Sequence, residues 1–156
     1  MGATDDLIQA SKKDTWQHIN HVAEFIERVR DELQQRKQNH DSSKLCEPEL
    51  SGYATCVPRF KGTTYGSPEY KAVVNDMRPA VDHHYANNRH HPEFFGDDGI
   101  NGMNLVDVLE MICDWKAAAI RAGNLDKFEE NVGKNLERFK VEPQLAKLIK
   151  NSLGLL

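Results

Sequence analysis

Over residues 14 to about 38, apolar side chains fall at Trp16, Ile19, Val22, Phe25, Ile26, Val29 and Leu33, three or four apart apart from one adjacent pair. That spacing gathers them on one side of an α-helix and predicts one across the stretch, with Asp14 or Thr15 able to cap its start. A second, stronger period runs from Leu105 to about Ala122, where Leu105, Val108, Leu109, Ile112, Trp115 and Ala119 form a core-facing stripe behind the cap residue Asn104. Residues 128–139 and 143–153 read as two further amphipathic helices, opened by Gly123-Asn124 and by Glu142-Pro143.

Polar punctuation divides the rest. Asn39-His40-Asp41-Ser42-Ser43 is turn-like, and Glu47-Pro48-Glu49-Leu50 opens a helix that reaches Tyr53 or beyond. Residues 58–68, with Gly62 and Gly66, are expected to be irregular and lid-like. Ser67-Pro68 then starts a helix carrying Val73, Val74, Met77 and Val81, which Pro79 should kink or divide. Residues 86–102 turn to Asn, His, Pro, Asp and Gly, the composition of a loop. No segment shows the alternation of a strand. The expected fold class is all-α, an irregular helical bundle, in a single domain over 1–156 with its core in about 15–153.

Composition narrows the function classes. A chain of 156 residues has room for one core of its own, and 39% hydrophobic with 28% charged residues is the balance of a globular domain. The net charge of −4, with Lys and Arg scattered, gives no general attraction to a phosphate backbone, so nucleic acid is not an expected partner. No run reaches membrane-spanning length, and Cys46, Cys56 and Cys113 form neither a CxxC pair nor an even set. These features lead to the expectation of a cytoplasmic protein in a reducing compartment, the host cytoplasm if the chain is phage-encoded, without a membrane partner. The apolar C-terminal helix suits either internal packing or a homo-oligomer.

The histidines change the picture. All seven lie between positions 18 and 91, as His18/His21, His40, and His83/His84 with His90/His91. Imidazoles in such number suit Mn, Fe, Co, Ni or Zn, and carboxylates widen the choice toward Mg. Asp107, Glu110 and Asp114 share a face of the helix behind Asn104. Asp114 interrupts the apolar run Met111-Ile112-Cys113-Asp114-Trp115, where an acid is costly unless it is paired or holds a cation. Each has a plainer reading as well. Asp107 fits the third-position acid of a capped helix, Glu110 suits a solvated face or a pocket, and Asp114 suits a buried ion pair. His21 suits the surface, and His90 and His91 suit a polar loop.

His18 with a valine four later, His40-Asp41 with Lys44 three beyond, and the late helical Asp114 together resemble the H…HD…D signature of the HD-domain metal-dependent phosphohydrolases. More narrowly, His40-Asp41-x-x-Lys44, Glu49-x-x-x-Tyr53, His83-His84, Asn88-x-His90-His91-Pro92-Glu93 and Glu110-Met111-x-x-Asp114-Trp115 are similar to an uncharacterised HD-like family of phages and bacteria. The resemblance covers roughly 15–153. It implies a helical HD fold in which His18, His40, Asp41 and Asp114 hold one divalent metal, and hydrolysis of a phosphate ester or anhydride by water activated there. Nucleotidase members carry Glu where Lys44 stands, so their general acid/base does not transfer. Lys44 instead looks like the phosphate-contacting lysine of relatives that cleave cyclic dinucleotides. Those relatives also hold a second metal, a role open here to His84, His90 and His91.

The expected substrate is a small phosphorylated molecule, above all a nucleoside mono- or triphosphate. Lys44, with Arg89, would balance phosphoryl charge. Glu110, Glu93, His84, His90 and His91 are the candidates to orient water or protonate the leaving oxygen. Trp16, Tyr65, Tyr85, Phe94, Phe95 or Trp115 would stack on a base. Two other readings stand beside this one: a non-catalytic domain that binds a metal or nucleotide, and an HD-fold di-iron oxygenase.

Overall fold

A computed structural model describes residues 3–156, all helical or irregular, with no strand among them. The chain falls into two compact units, Met1–Gln38 and Asn39–Leu156. The described residues of the first unit belong to one helix, α1, Ala3–Asn39. It begins well before Asp14, so neither Asp14 nor Thr15 caps it, and the Thr15 hydroxyl donates instead to the Ser11 carbonyl one turn back. Ion pairs such as Arg28–Glu24 and Arg36–Glu32 run along its surface at four-residue spacing.

The second unit holds α2 (Glu49–Cys56), α3 (Pro68–Asn87), α4 (Leu105–Arg121), α5 (Phe128–Arg138) and α6 (Pro143–Ser152). Short 3-10 segments link them, at Ser42–Leu45, Val57–Phe60 and Pro92–Gly102. Ser67 caps α3 by accepting the Tyr70 amide, and α3 passes through Pro79 without dividing. The Pro92–Gly102 stretch is tighter than the expected loop and bends at Gly96 and Gly99, whose φ values of 57° and 50° favour glycine.

Two packing layers position the site. The core proper joins Met111, Ile112, Val132, Leu136 and Ile149, all nearly inaccessible, so α4, α5 and α6 share one apolar centre. The other layer sets α2 on α3. A Cβ added to Gly52 would lie 2.5 Å from the Ala80 Cβ, so the two backbones meet closely there. Glu49, one turn before Gly52 on α2, is thereby brought to His83 and His84, one turn beyond Ala80 on α3.

Candidate metal centre

The turn after α1 supplies the centre of the site. Asp41 has φ 55°, a left-handed conformation that aspartate tolerates better than most side chains, and it precedes the Ser42–Leu45 segment without capping it. Its carboxylate is therefore committed inward. Oδ2 takes a 2.6 Å hydrogen bond from Lys44 Nζ, while Oδ1 lies 3.3 Å from His84 Nε2 and 3.4 Å from His90 Nε2. His84 and His91 face each other Nε2 to Nε2 at 2.9 Å. On the other side of Asp41, His40 Nε2 is 3.6 Å from Asp114 Oδ1 and 3.7 Å from Asp41 Oδ2.

Two donor groups result. Asp41, His84, His90 and His91 form one, and His40, Asp41, His90 and Asp114 form the other, each with ligand atoms within 4.8 Å of one another. Asp41 and His90 belong to both. Of the residues expected from sequence to hold a metal, His40, Asp41, Asp114, His84, His90 and His91 thus converge. Both groups lie within the second unit; His18 and His21 are on α1, in the first.

Carboxylates behind the histidines fix their rings. Glu110 Oε1 sits 2.8 Å from His40 Nδ1 and 3.2 Å from His90 Nδ1, holding both Nε2 atoms toward the centre. Glu49, fully buried, does the same for His84, with Oε2 2.8 Å from its Nδ1, and its other oxygen lies 2.7 Å from His83 Nδ1. A carboxylate on the remote nitrogen of an imidazole sets the tautomer and orientation that metal binding requires. Glu110, a candidate acid/base in the sequence, thus lies against the remote nitrogens of His40 and His90. Glu49 appears in the sequence pattern only as part of a motif with Tyr53; an acid at the first position of a helix gave no sign of its partners.

Other expected positions lie elsewhere. Glu93 is in neither donor group and pairs with Arg138 at 2.9 Å. Arg89 makes a two-pronged contact with Asp107, at 3.1 and 3.0 Å, and its guanidinium lies over the rings of Phe94 and Phe95. Asp107 also accepts the Asn104 backbone N–H, closing a capping box, so both residues brace the start of α4. Arg89 is thus drawn to Asp107, away from the role of phosphate contact that the sequence allowed it.

Electrostatically the centre is rich in acid. The Asp114 and Glu110 carboxylates beside it, opposed by burial, raise the His40 pKa to about 10. Burial works against ionised Asp41, but the Lys44, His40 and His84 charges outweigh it and hold this carboxyl below its usual value. Burial, with the neighbouring His90 and His84 rings, pushes His91 down to about 3. A proton on His40 and the Lys44 ammonium offset the carboxylates, while His91 stays neutral with a lone pair to offer. Asp41 Oδ1 and His90 Nε2 are both buried and lack any hydrogen-bond partner among the described residues. Two unsatisfied polar atoms facing each other at 3.4 Å fit a cation between them.

Beside this centre a cavity of about 790 Å³ is lined by Lys44, Leu50, Tyr53, Phe60, Met77 and Arg121, among others. Lys44 belongs to both, with Nζ 5.8 Å from the centre of the Tyr53 ring. The aromatic rings on this cavity are Tyr53 and Phe60 rather than those picked out in the sequence; Tyr65, for one, is almost wholly exposed.

The chain belongs to a family of unknown function, DUF5662, whose family model matches residues 7–155. No curated protein and no solved structure matches it.

Proposed function

We propose that this member of the DUF5662 family is a metal-dependent phosphohydrolase acting on a small phosphorylated metabolite, most readily a nucleoside mono- or triphosphate. The observation that carries the reading is the pair of buried, unsatisfied donors, Asp41 Oδ1 and His90 Nε2, at the overlap of two His/Asp groups. His40, Asp41, His90 and Asp114 would hold one divalent ion, and Asp41, His84, His90 and His91 would hold a second. The mixture of imidazole and carboxylate suits Mn, Fe, Co, Ni or Zn better than Mg, which favours an all-oxygen shell. An ion so held supplies Lewis acidity and lowers the pKa of water.

The chain's own residues supply the rest. Lys44 Nζ, fixed by Asp41, projects toward the cavity and counters charge on the phosphoryl oxygens. Glu110 and Glu49 keep three imidazoles aimed at the centre, so their rings need no reorganisation as charge develops. Tyr53 and Phe60 offer a base or other flat group an apolar wall one side chain away from Lys44. The Arg121 guanidinium on the same cavity attracts an anionic substrate.

The test strips the full chain of metal, reloads it separately with Mn, Co, Fe, Ni, Zn and Mg, and follows phosphate and pyrophosphate release from a nucleotide panel. Metal content is read in parallel for Asp41→Asn and Asp114→Asn. Loss of bound metal and of hydrolysis together in both variants supports the reading; unchanged metal content and turnover in both would sink it. Because the two donor groups overlap, a di-iron oxygenase is the second reading to separate. Two irons per chain with turnover that stops without oxygen would favour it.

A further inference from the structure

We infer that the cavity beside the metal centre selects substrates carrying a second anionic group, held by Arg121 about two helical turns from the reacting phosphate across a flat or apolar middle. The inference rests on the phosphohydrolase reading and deepens it, since it names what the substrate carries besides that phosphate.

The cavity is built by the second unit alone, because every described lining residue lies between Lys44 and Arg121 in sequence. Leu50, Tyr53, Ala54 and Val57, at steps of three, one and three, present one side of α2 and the residue after it, and Phe60 and Met77 extend that apolar surface. The volume of about 790 Å³ is that of a small-molecule site. No described lining residue is an acid or an amide, although acidic side chains outnumber basic ones in the chain by 24 to 20. Such walls hold a ring or a chain by contact and offer little with which to read the polar edge of a nucleobase.

Two cations interrupt the apolar lining. Lys44 is tied to Asp41 by a 2.6 Å hydrogen bond, which keeps it at the metal centre. Arg121 is held by nothing comparable. Of the five arginines in the second unit, Arg59, Arg78, Arg89 and Arg138 pair with carboxylates of that unit, on Asp76, Asp82, Asp107 and Glu93 respectively. The Arg121 guanidinium makes no hydrogen bond, ion pair or ring contact with any described residue of the unit. Arg121 follows Asp114 by seven residues, which places it two turns further along α4 on nearly the same face, about 10 Å by axial rise. Since it pairs with neither Asp114 nor Asp41, it is not turned back onto the centre. A guanidinium with its fork unengaged, on a wall without acids, is a receptor for a carboxylate or a phosphate other than the one that meets the metal.

A phosphate ester of matching shape sets its phosphoryl group at Lys44 and the donor groups, its flat or apolar body against α2, and a carboxylate or second phosphate at Arg121. Charge at the remote end separates such a substrate from one of the same length that ends in a neutral group, because the apolar walls grip both alike. A nucleotide follows the same rule and is turned over better when its end away from the reacting phosphate bears an anion. For a guanidinium with an exposed side the gain is about tenfold, the lower end of what a hydrogen bond between charged groups contributes.

A biphenyl phosphate with a carboxylate at the remote para position, and its twin with a neutral carboxamide there, test this on the metal-loaded full chain. Hydrolysis of either adds water to phosphorus, breaks the bond to the phenolic oxygen, and releases phosphate and the phenol. The expected kcat/KM is about tenfold higher for the carboxylate in the wild type, within about twofold of the carboxamide in Arg121→Gln, and mostly restored in Arg121→Lys. The phosphonate versions of both, which resist cleavage, are titrated by calorimetry and should show the same preference in Kd. Equal Kd for the two in the wild type, a preference that survives Arg121→Gln, or binding of neither phosphonate overturns the inference. Should Arg121→Gln fail to fold, the wild-type preference is followed against salt, and one that does not shrink as ionic strength rises overturns it as well. The two readings fail separately. Phosphonate binding with an Arg121-dependent preference, but cleavage of neither ester, sinks the hydrolase and leaves the anion site; cleavage of both esters at equal kcat/KM does the reverse.

Discussion

α1 and α4 are both long helices with a large apolar side chain at every third or fourth position, but those side chains meet different surroundings. On α4, Val108, Met111, Ile112 and Ala119 are buried within the second unit; on α1, Trp16 through Val29 are exposed. The two helices also treat their polar faces differently. α1 carries ion pairs between its own successive turns, such as Arg28–Glu24, whereas α4 turns Asp107, Glu110 and Asp114 to partners far away in sequence: Arg89, His40 and His90. Amphipathic period therefore shows what a helix is able to bury and says little about its partner. Acids set among core residues, as on α4, are the better pointer to chemistry, because leaving them unpaired costs several kcal/mol.

The largest way to sharpen this contrast is a matched truncation. Met111→Ala, in the centre of the core, should lower the unfolding free energy of the chain by about 2–5 kcal/mol, since it leaves a cavity among α4, α5 and α6. Val22→Ala, at a position 42% exposed on α1, should cost under about 1 kcal/mol. Chemical denaturation followed by circular dichroism reads both. Comparable losses would mean that α1 is as deeply integrated as α4, and the contrast would fail.

A smaller effect separates holding a metal from aiming its ligands. Glu110→Gln and Glu49→Gln keep the size of the side chain but remove the negative charge behind His40 and His90, and behind His84, respectively. Each should weaken metal affinity by about 10- to 100-fold without abolishing it, which titration against a competing chelator measures. Glu110→Gln should weaken the donor groups more broadly, since His90 belongs to both. If either variant left affinity unchanged, the carboxylates would be serving the fold rather than the centre.

The helices are readable from sequence because their signals are local. The period of Leu105 to Ala119 and the Asn104 cap locate α4 to within a residue of its ends, and Asp107 takes the capping position its spacing suggests. Of the two outcomes Pro79 suggests, a kink or a division, the division does not occur, because α3 runs through it. The site is less readable. His40-Asp41 and Asp114 stand out, one as an adjacent pair and the other as an acid in an apolar run, and His84, His90 and His91 stand out by number. Glu49 does not, since its role depends on the close contact of Gly52 with Ala80, which brings it to histidines 34 and 35 positions away. Arg89 likewise looks free for phosphate until the start of α4 is seen to claim it.

The smallest predicted effect concerns the acid balance of the metal-free centre, and it sets α4 apart from α1 once more, because Asp114 and Glu110 are its cause. His40 is raised to about 10, so the folded chain keeps a proton there that the unfolded chain releases above about 6.5. Its contribution is therefore fully present below about pH 6.5 and is lost as pH rises toward 10. His91 acts in the opposite sense. Folding holds it neutral down to about 3, so between that pH and about 6.5 the unfolded chain binds the extra proton and stability rises with pH. The two together place a stability maximum near pH 6.5 for chelator-treated protein. Thermal unfolding across pH 4 to 10 measures it, and the decline on the alkaline side should flatten in Glu110→Gln, where one of the two carboxylates that hold the His40 proton is gone. Metal reverses the requirement, since a coordinating imidazole must be neutral, so loading the centre should release the His40 proton and remove the alkaline decline. An alkaline limb that survives both the substitution and the metal would trace to groups outside the centre.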